Sequence, residues 1–124
     1  MASHAGTGKL EKKSMDSPDE TRTPNKTRVE LVNLSGMTLG RFNFEPGWRW
    51  SECVKPVVGT DSCQNHHVGY VVSGHLHIRL DDGSEAELKP GDAYEIPPGH
   101  DAWNDGDEKF VGIEVQSAAQ YAKR

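Results

Sequence analysis

The 124-residue sequence contains no apolar run approaching the roughly 18 residues that a membrane-spanning helix needs. Only 34% of its residues are hydrophobic and its mean hydropathy is -0.73, so part of the chain is expected to lie outside any core. The N-terminus lacks the apolar stretch of a secretory signal, which makes the cytoplasm the expected compartment. Basic residues are few: 14 Lys and Arg stand against 19 Asp and Glu, for a net charge of -5. A nucleic-acid partner needs clustered Lys and Arg against phosphate and is not expected. The two cysteines, Cys53 and Cys63, are expected to stay reduced in such a compartment. There is no G-x-S-x-G nucleophile elbow. The one glycine-rich tetrad ending in lysine, Gly6-Thr7-Gly8-Lys9, has neither the preceding strand nor the following helix of a phosphate loop.

Residues 1–26 read as a disordered tail. They mix charges of both signs with Gly and Pro, and Leu10 and Met15 are the only large apolar residues after the initiating Met1. Such a stretch buries too little apolar surface to offset its ordering entropy. From residue 27 to about 117 the pattern changes to short alternating runs punctuated by turns. The runs are Arg28–Leu34, Thr38–Phe44, Trp48–Val54, His66–Val72, His75–Leu80, Ser84–Leu88, Ala93–Ile96, Asp101–Asn104 and Lys109–Val115. Between Val57 and Asn65 the pattern is looser. Asp81-Asp82-Gly83 is a strong hairpin turn, because glycine accepts positive φ. Residues 118–124 are expected to be a C-terminal tail or a short helical turn. About nine short strands with no room for helical crossovers predict an all-β sandwich or barrel.

Two blocks carry a family likeness. Gly91-Asp92-Ala93-Tyr94-Glu95-Ile96-Pro97-Pro98-Gly99 resembles the start of the second cupin motif, G-x5-P-x-G-x2-H-x3-N. His67-Val68-Gly69-Tyr70-Val71-Val72-Ser73-Gly74 resembles the end of the first, G-x5-H-x-H-x3,4-E-x6-G. The likeness covers roughly residues 36–116 and is strongest to small single-domain bacterial cupins. It implies a cupin β-barrel, that is, a double-stranded β-helix or jelly roll of the RmlC-like superfamily, with a site inside the barrel.

The resemblance further implies a divalent transition metal, but the match to the ligand positions is partial. His67 stands where the motif has Glu. Imidazole suits iron, zinc, copper and nickel. The motif's His pair has two placements. Counting forward from Gly47 gives Cys53 and Lys55; counting back from His67 gives Asp61 and Cys63. The first is preferred, because insertions fall in loops more readily than in strands. The second motif's His position is Ala102, and His100, two residues earlier, points the same way on an extended chain. The expected metal set is therefore Cys53, His67 and His100, holding iron, zinc, nickel or manganese, with an empty or organic-ligand pocket as the alternative.

Each of these residues also has an ordinary reading. His67 and His100 can be a pocket or turn histidine, and Cys53 a small buried hydrophobe. Trp48 and Trp50 are core residues by default, or a stacking wall for a planar ligand. His75 and His77 read as an outer face, since Leu76 and Ile78 claim the interior. Two functions stand side by side. In the first, an enzyme uses His67 and His100 catalytically, with or without metal, on a small polar substrate bound by Trp50, Glu52, Gln64, Tyr70 and Trp103. In the second, the barrel is a non-catalytic ligand-binding or sensor module without metal. In either case the partner is a small molecule, and open sheet edges predict a homodimer with residues 28–44 contributing.

Overall fold

The computed structural model describes residues 8–115 and Tyr121. Nine strands and two single-turn helices follow one another. They are β1 (Glu20–Arg22), β2 (Thr27–Asn33), β3 (Thr38–Phe44), α1 (Trp50–Cys53), α2 (Lys55–Val58), β4 (His67–Ser73), β5 (Leu76–Leu80), β6 (Glu85–Leu88), β7 (Ala93–Ile96), β8 (His100–Trp103) and β9 (Phe110–Val115). They build a six-stranded sheet in the order β1-β2-β3-β9-β4-β7 and a three-stranded sheet in the order β6-β5-β8, and all pairings are antiparallel. Among the described residues no helix is long and apolar enough to cross a membrane.

Alternation puts every second side chain inside. Phe42 and Phe44 of β3, Val71 of β4, Leu76 and Ile78 of β5, Tyr94 and Ile96 of β7, and Phe110 of β9 face one another between the sheets and are nearly inaccessible. Trp48 completes this core. Its ring stacks on Phe44 with centroids 3.7 Å apart, and its indole N–H donates to Thr27 Oγ1 at 2.8 Å. The core reading of Trp48 and Trp50 therefore holds, with both rings 2% exposed. The opposite face of β4 is open: Val68, Tyr70 and Val72 are 40–51% exposed.

Two expectations about secondary structure change. The run Trp48–Val54 was expected as a strand, yet residues 50–53 turn as a helix. Trp50, Cys53 and Val54 are buried together at the i, i+3, i+4 spacing of a helical face, which the alternating Trp48, Trp50 and Glu52 concealed. α2 then starts with Pro56 in its first turn, and Gly59 ends it at φ 79°.

The second change concerns the expected tail, of which residues 1–7 lie outside the described residues while the chain from Glu11 to Arg22 lies against the barrel. β1 pairs with β2, and upstream of it the attachment is polar. Lys13 Nζ donates to the Asn33 carbonyl at 2.7 Å, the Asp19 carboxylate accepts from the Asn33 N–H at 2.8 Å, and Asp16 accepts from Arg41 at 2.8 Å. Leu10 is fully exposed. Weighing apolar burial alone could not find this contact. With β1 in place, β2 and β3 are flanked on both sides, so residues 28–44 do not form the sheet edge expected of them; β1 and β7 do.

Candidate metal centre

Three buried side chains converge between the sheets: Cys63, His67 and His100, whose ligand atoms all lie within 4.8 Å of one another. Different elements deliver them. His67 opens β4 and pairs with Ile96 of β7. His100 opens β8 and pairs with Leu80 of β5. Cys63 lies in the loop between α2 and β4, where its N–H donates to the His100 carbonyl at 2.8 Å and its carbonyl accepts from the Gly99 N–H at 2.7 Å. That backbone clasp carries the thiol to the histidines. Gly99, at φ 91°, is one place where glycine is required, since a Cβ there would also meet Asp81 at 2.8 Å.

Both histidines have one nitrogen already committed. His67 Nδ1 donates to Glu114 Oε1 at 2.6 Å, and the other carboxylate oxygen accepts from the Tyr94 hydroxyl at 2.6 Å. His100 Nδ1 donates to the Pro97 carbonyl at 2.9 Å. His67 Nε2 is left facing Cys63 Sγ at 3.6 Å, and the two rings stand 5.1 Å apart. This is how proteins orient metal-binding imidazoles: the outer nitrogen is held by a carboxylate or carbonyl, and the inner one is free to coordinate. Gly69 makes the carboxylate's position feasible, because a Cβ there would come 2.7 Å from Glu114 Cγ and 2.8 Å from the Tyr94 hydroxyl.

The electrostatics favour a thiolate facing a protonated imidazole, so a metal entering there would displace the His67 Nε2 proton. Burial pushes the Cys63 thiol up, but hydrogen bonds from His100 and His67, with their charge, outweigh it and hold the thiol below its ordinary value. Burial pushes His67 down, but the Glu114 carboxylate and the Cys63 contact outweigh it and hold the imidazole above its ordinary value. Burial, with the Glu114 charge beside it, raises Tyr94 and keeps that phenol a donor.

The chamber is small. Its cavity volume is about 20 Å³, and Phe42, Trp50, Ile78, Ala102 and Tyr121 close it along with the polar residues. That is room for one water-sized molecule. One thiolate and two imidazoles suit zinc, iron or nickel, and suit manganese less well, since manganese prefers oxygen donors. The donor set therefore fits a metal.

Several residues singled out in the sequence lie elsewhere. Cys53, the last residue of α1, is buried in the core and does not line the chamber; the thiol at the histidines is Cys63, the one given by the second placement of the ligand pair. Lys55 points out from α2 toward Asp61, 4.0 Å away, and does not oppose a cation. Of the five expected substrate contacts, Trp50 alone lines the chamber. Glu52 and Trp103 line an outer cavity of about 210 Å³. The Trp103 ring is engaged outside the chamber, by the Arg49 guanidinium at 4.3 Å and by His77, stacked at 4.7 Å. Gln64 is exposed and bonded to Ser62, and Tyr70 is half-exposed on the outer face of β4. Sequence reasoning missed Glu114. The available signal was a lone acid on the inward-facing side of the alternating β9, where a charge persists only with partners.

Comparison with known proteins agrees with this architecture. Residues 55–115 match the cupin domain family. Among curated proteins none matches the chain by sequence. Among solved structures, a cupin 2 conserved barrel domain protein from Salinispora arenicola CNS-205 is 18% identical, with a TM-score of 0.61 over 87% of this chain and 88% of that one. A sugar phosphate isomerase of the cupin superfamily from Silicibacter pomeroyi DSS-3 is 22% identical, with a TM-score of 0.61 over 85% and 74%. The polyketide cyclase RemF from Streptomyces resistomycificus is 18% identical, with a TM-score of 0.63 over 86% and 78%. At such identities the likeness extends to the fold, and the neighbours differ in activity. The chain carries a small cupin domain.

Proposed function

We propose that this cupin is a metal-dependent enzyme whose single transition-metal ion is held by Cys63, His67 and His100. The observation that carries the reading is the convergence of three N/S donors within 4.8 Å, with both imidazoles locked from behind. Three protein ligands with a position left open is the composition of a catalytic site rather than of a closed structural one. A metal bound there supplies Lewis acidity toward a carbonyl, hydroxyl or water oxygen. The chain's own residues do the rest. Glu114 fixes the tautomer and orientation of His67, Pro97 does the same for His100, and Phe42, Trp50, Ile78 and Tyr121 exclude bulk water.

The size of the chamber narrows the substrate class. A volume of about 20 Å³ admits water or the reacting end of a small polar molecule, not a whole sugar or polyketide. The second reading is a non-catalytic ligand-binding or sensor module without metal.

The discriminating experiment is elemental analysis of protein purified without chelator, alongside Cys63→Ser, His67→Ala and Cys53→Ala. Stoichiometric zinc, iron or nickel, lost in the first two variants and kept in the third, is the expected result. Metal-free protein that takes up no added Zn²⁺ or Co²⁺ sinks the reading and leaves the binding module.

A further inference from the structure

Tyr121 is the last described residue of the chain, and it lies inside the barrel, 2% exposed. Its ring packs edge-on against Phe42 with centroids 4.8 Å apart and stands 5.8 Å from His67. Its backbone carbonyl accepts from Arg22 Nη1 at 2.7 Å, so β1 fastens Tyr121 in place. Tyr121 lines the same chamber as Cys63, His67 and His100.

Its hydroxyl is the one buried side-chain polar atom, among the described residues, with no hydrogen-bond partner. The charged and thiol groups of the chamber are partnered instead. His67 Nδ1 is held by Glu114, Glu114 by His67 and Tyr94, His100 Nδ1 by Pro97, and Cys63 by His67. Folded proteins leave few buried hydroxyls unpaired, because each loses its hydrogen bonds to water without replacement. Phenylalanine would fill the same aromatic slot without that penalty. The surplus hydroxyl therefore points to a partner that is not part of the protein. The cavity of about 20 Å³ has room for one water-sized group, such as the end atom of a small ligand.

Resting on the metal-centre reading, we propose that the Tyr121 hydroxyl is a positioning donor for the small oxygen- or nitrogen-terminated ligand that shares the chamber with the metal held by Cys63, His67 and His100. A phenol O–H donates best to an anion. The site then selects small anionic ligands, or the anionic terminus of a substrate, over neutral ones of the same size. Arg22 holds the Tyr121 carbonyl in turn.

The test uses the full chain loaded with Co²⁺, with azide as the probe. In the wild type the thiolate-to-cobalt charge-transfer band reports Cys63, and azide titration perturbs the visible ligand-field bands. Tyr121→Phe is expected to keep both the charge-transfer band and the Co²⁺ affinity, while its azide dissociation constant rises at least about tenfold, the loss of one hydrogen bond to a charged acceptor. The metal-free variant is expected to melt at the same or a higher temperature than the wild type, because it removes an unpaired hydroxyl. An unchanged azide constant with intact cobalt spectra overturns the proposal and leaves the metal centre standing. A lower melting temperature also overturns it, since the hydroxyl then has a structural partner. Absence of any cobalt spectrum in the wild type overturns the metal centre itself, and the role of Tyr121 with it.

Discussion

Replacing Glu114 by Gln separates the charge behind His67 from the shape around it. The carboxylate is 5% exposed and takes two hydrogen bonds of 2.6 Å, from His67 Nδ1 and the Tyr94 hydroxyl. Glutamine has nearly the same volume. Its carbonyl still accepts from His67, while its amide cannot accept from Tyr94, so the phenol must turn and accept instead. The fold should survive, and the imidazole should keep its tautomer but lose the negative charge that makes it a stronger ligand. Substitutions at such positions cost about 10–100-fold in metal affinity, or about 1.4–2.8 kcal/mol at 1.4 kcal/mol per tenfold. Glu114→Gln keeps the alignment and belongs near tenfold. Glu114→Ala loses alignment as well and leaves Tyr94 without its acceptor, so it belongs near a hundredfold. Competition against a chromophoric chelator for Zn²⁺ measures both. If the two variants bind within about twofold of the wild type while His67→Ala abolishes binding, the inferred role of the carboxylate is wrong.

Two further outcomes test the framework around the site. Gly69→Ala would place a Cβ 2.5 Å from the Ile113 carbonyl and 2.7 Å from Glu114 Cγ, so the denaturation midpoint should fall by the equivalent of about 1–3 kcal/mol and Zn²⁺ affinity should fall with it; an unchanged midpoint refutes the packing argument. Glu30 is buried under Arg41, Arg28 and Asn43, and its carboxyl is lowered from 4.5 to about 2, chiefly by the Arg41 hydrogen bond. The folded state therefore binds this proton less readily than the unfolded chain, so the stabilisation is complete above pH 4.5 and is lost as the pH falls toward 2. Its size is of order 3 kcal/mol. Urea unfolding at descending pH should show that loss, and Glu30→Gln should flatten it; an equal slope in the variant removes Glu30 as its source.

The strands were readable in the sequence because one face of each is apolar. Thr38–Phe44 and Ala93–Ile96 coincide with β3 and β7, and in β5 Leu76 and Ile78 face inward while His77 faces out, as alternation requires. Two segments escaped for definable reasons. Trp48-Arg49-Trp50-Ser51-Glu52 alternates like a strand, and only the shared burial of Trp50, Cys53 and Val54 shows the helical turn. The segment before β2 has almost no apolar residues, and it is attached by Lys13, Asp16 and Asp19 to groups on β2 and β3. Ionic contacts of this kind have no periodicity to read.

The site divides along the same line. His67 stands out by its fixed spacing to Gly74, and His100 stands out by sharing a strand face with Ala102, the motif position two residues on. Cys63 does not, because its position depends on a backbone pairing with a residue far along the chain, through bonds that carry no side-chain signature. The result is a polar line crossing an apolar barrel: Tyr94 on β7, Glu114 on β9, His67 on β4, Cys63 in the loop, His100 on β8 and the Pro97 carbonyl at its end. The first three members belong to the large sheet and His100 to the small one, so the line spans the gap between them. Because side chains alternate, a one-residue slip of β9 against β4 would turn Glu114 to solvent and leave His67 and Tyr94 buried without their acceptor. The network therefore penalises every register but one. The strand pairing that closes the barrel and the geometry that aims the three donors at one point are fixed by the same hydrogen bonds.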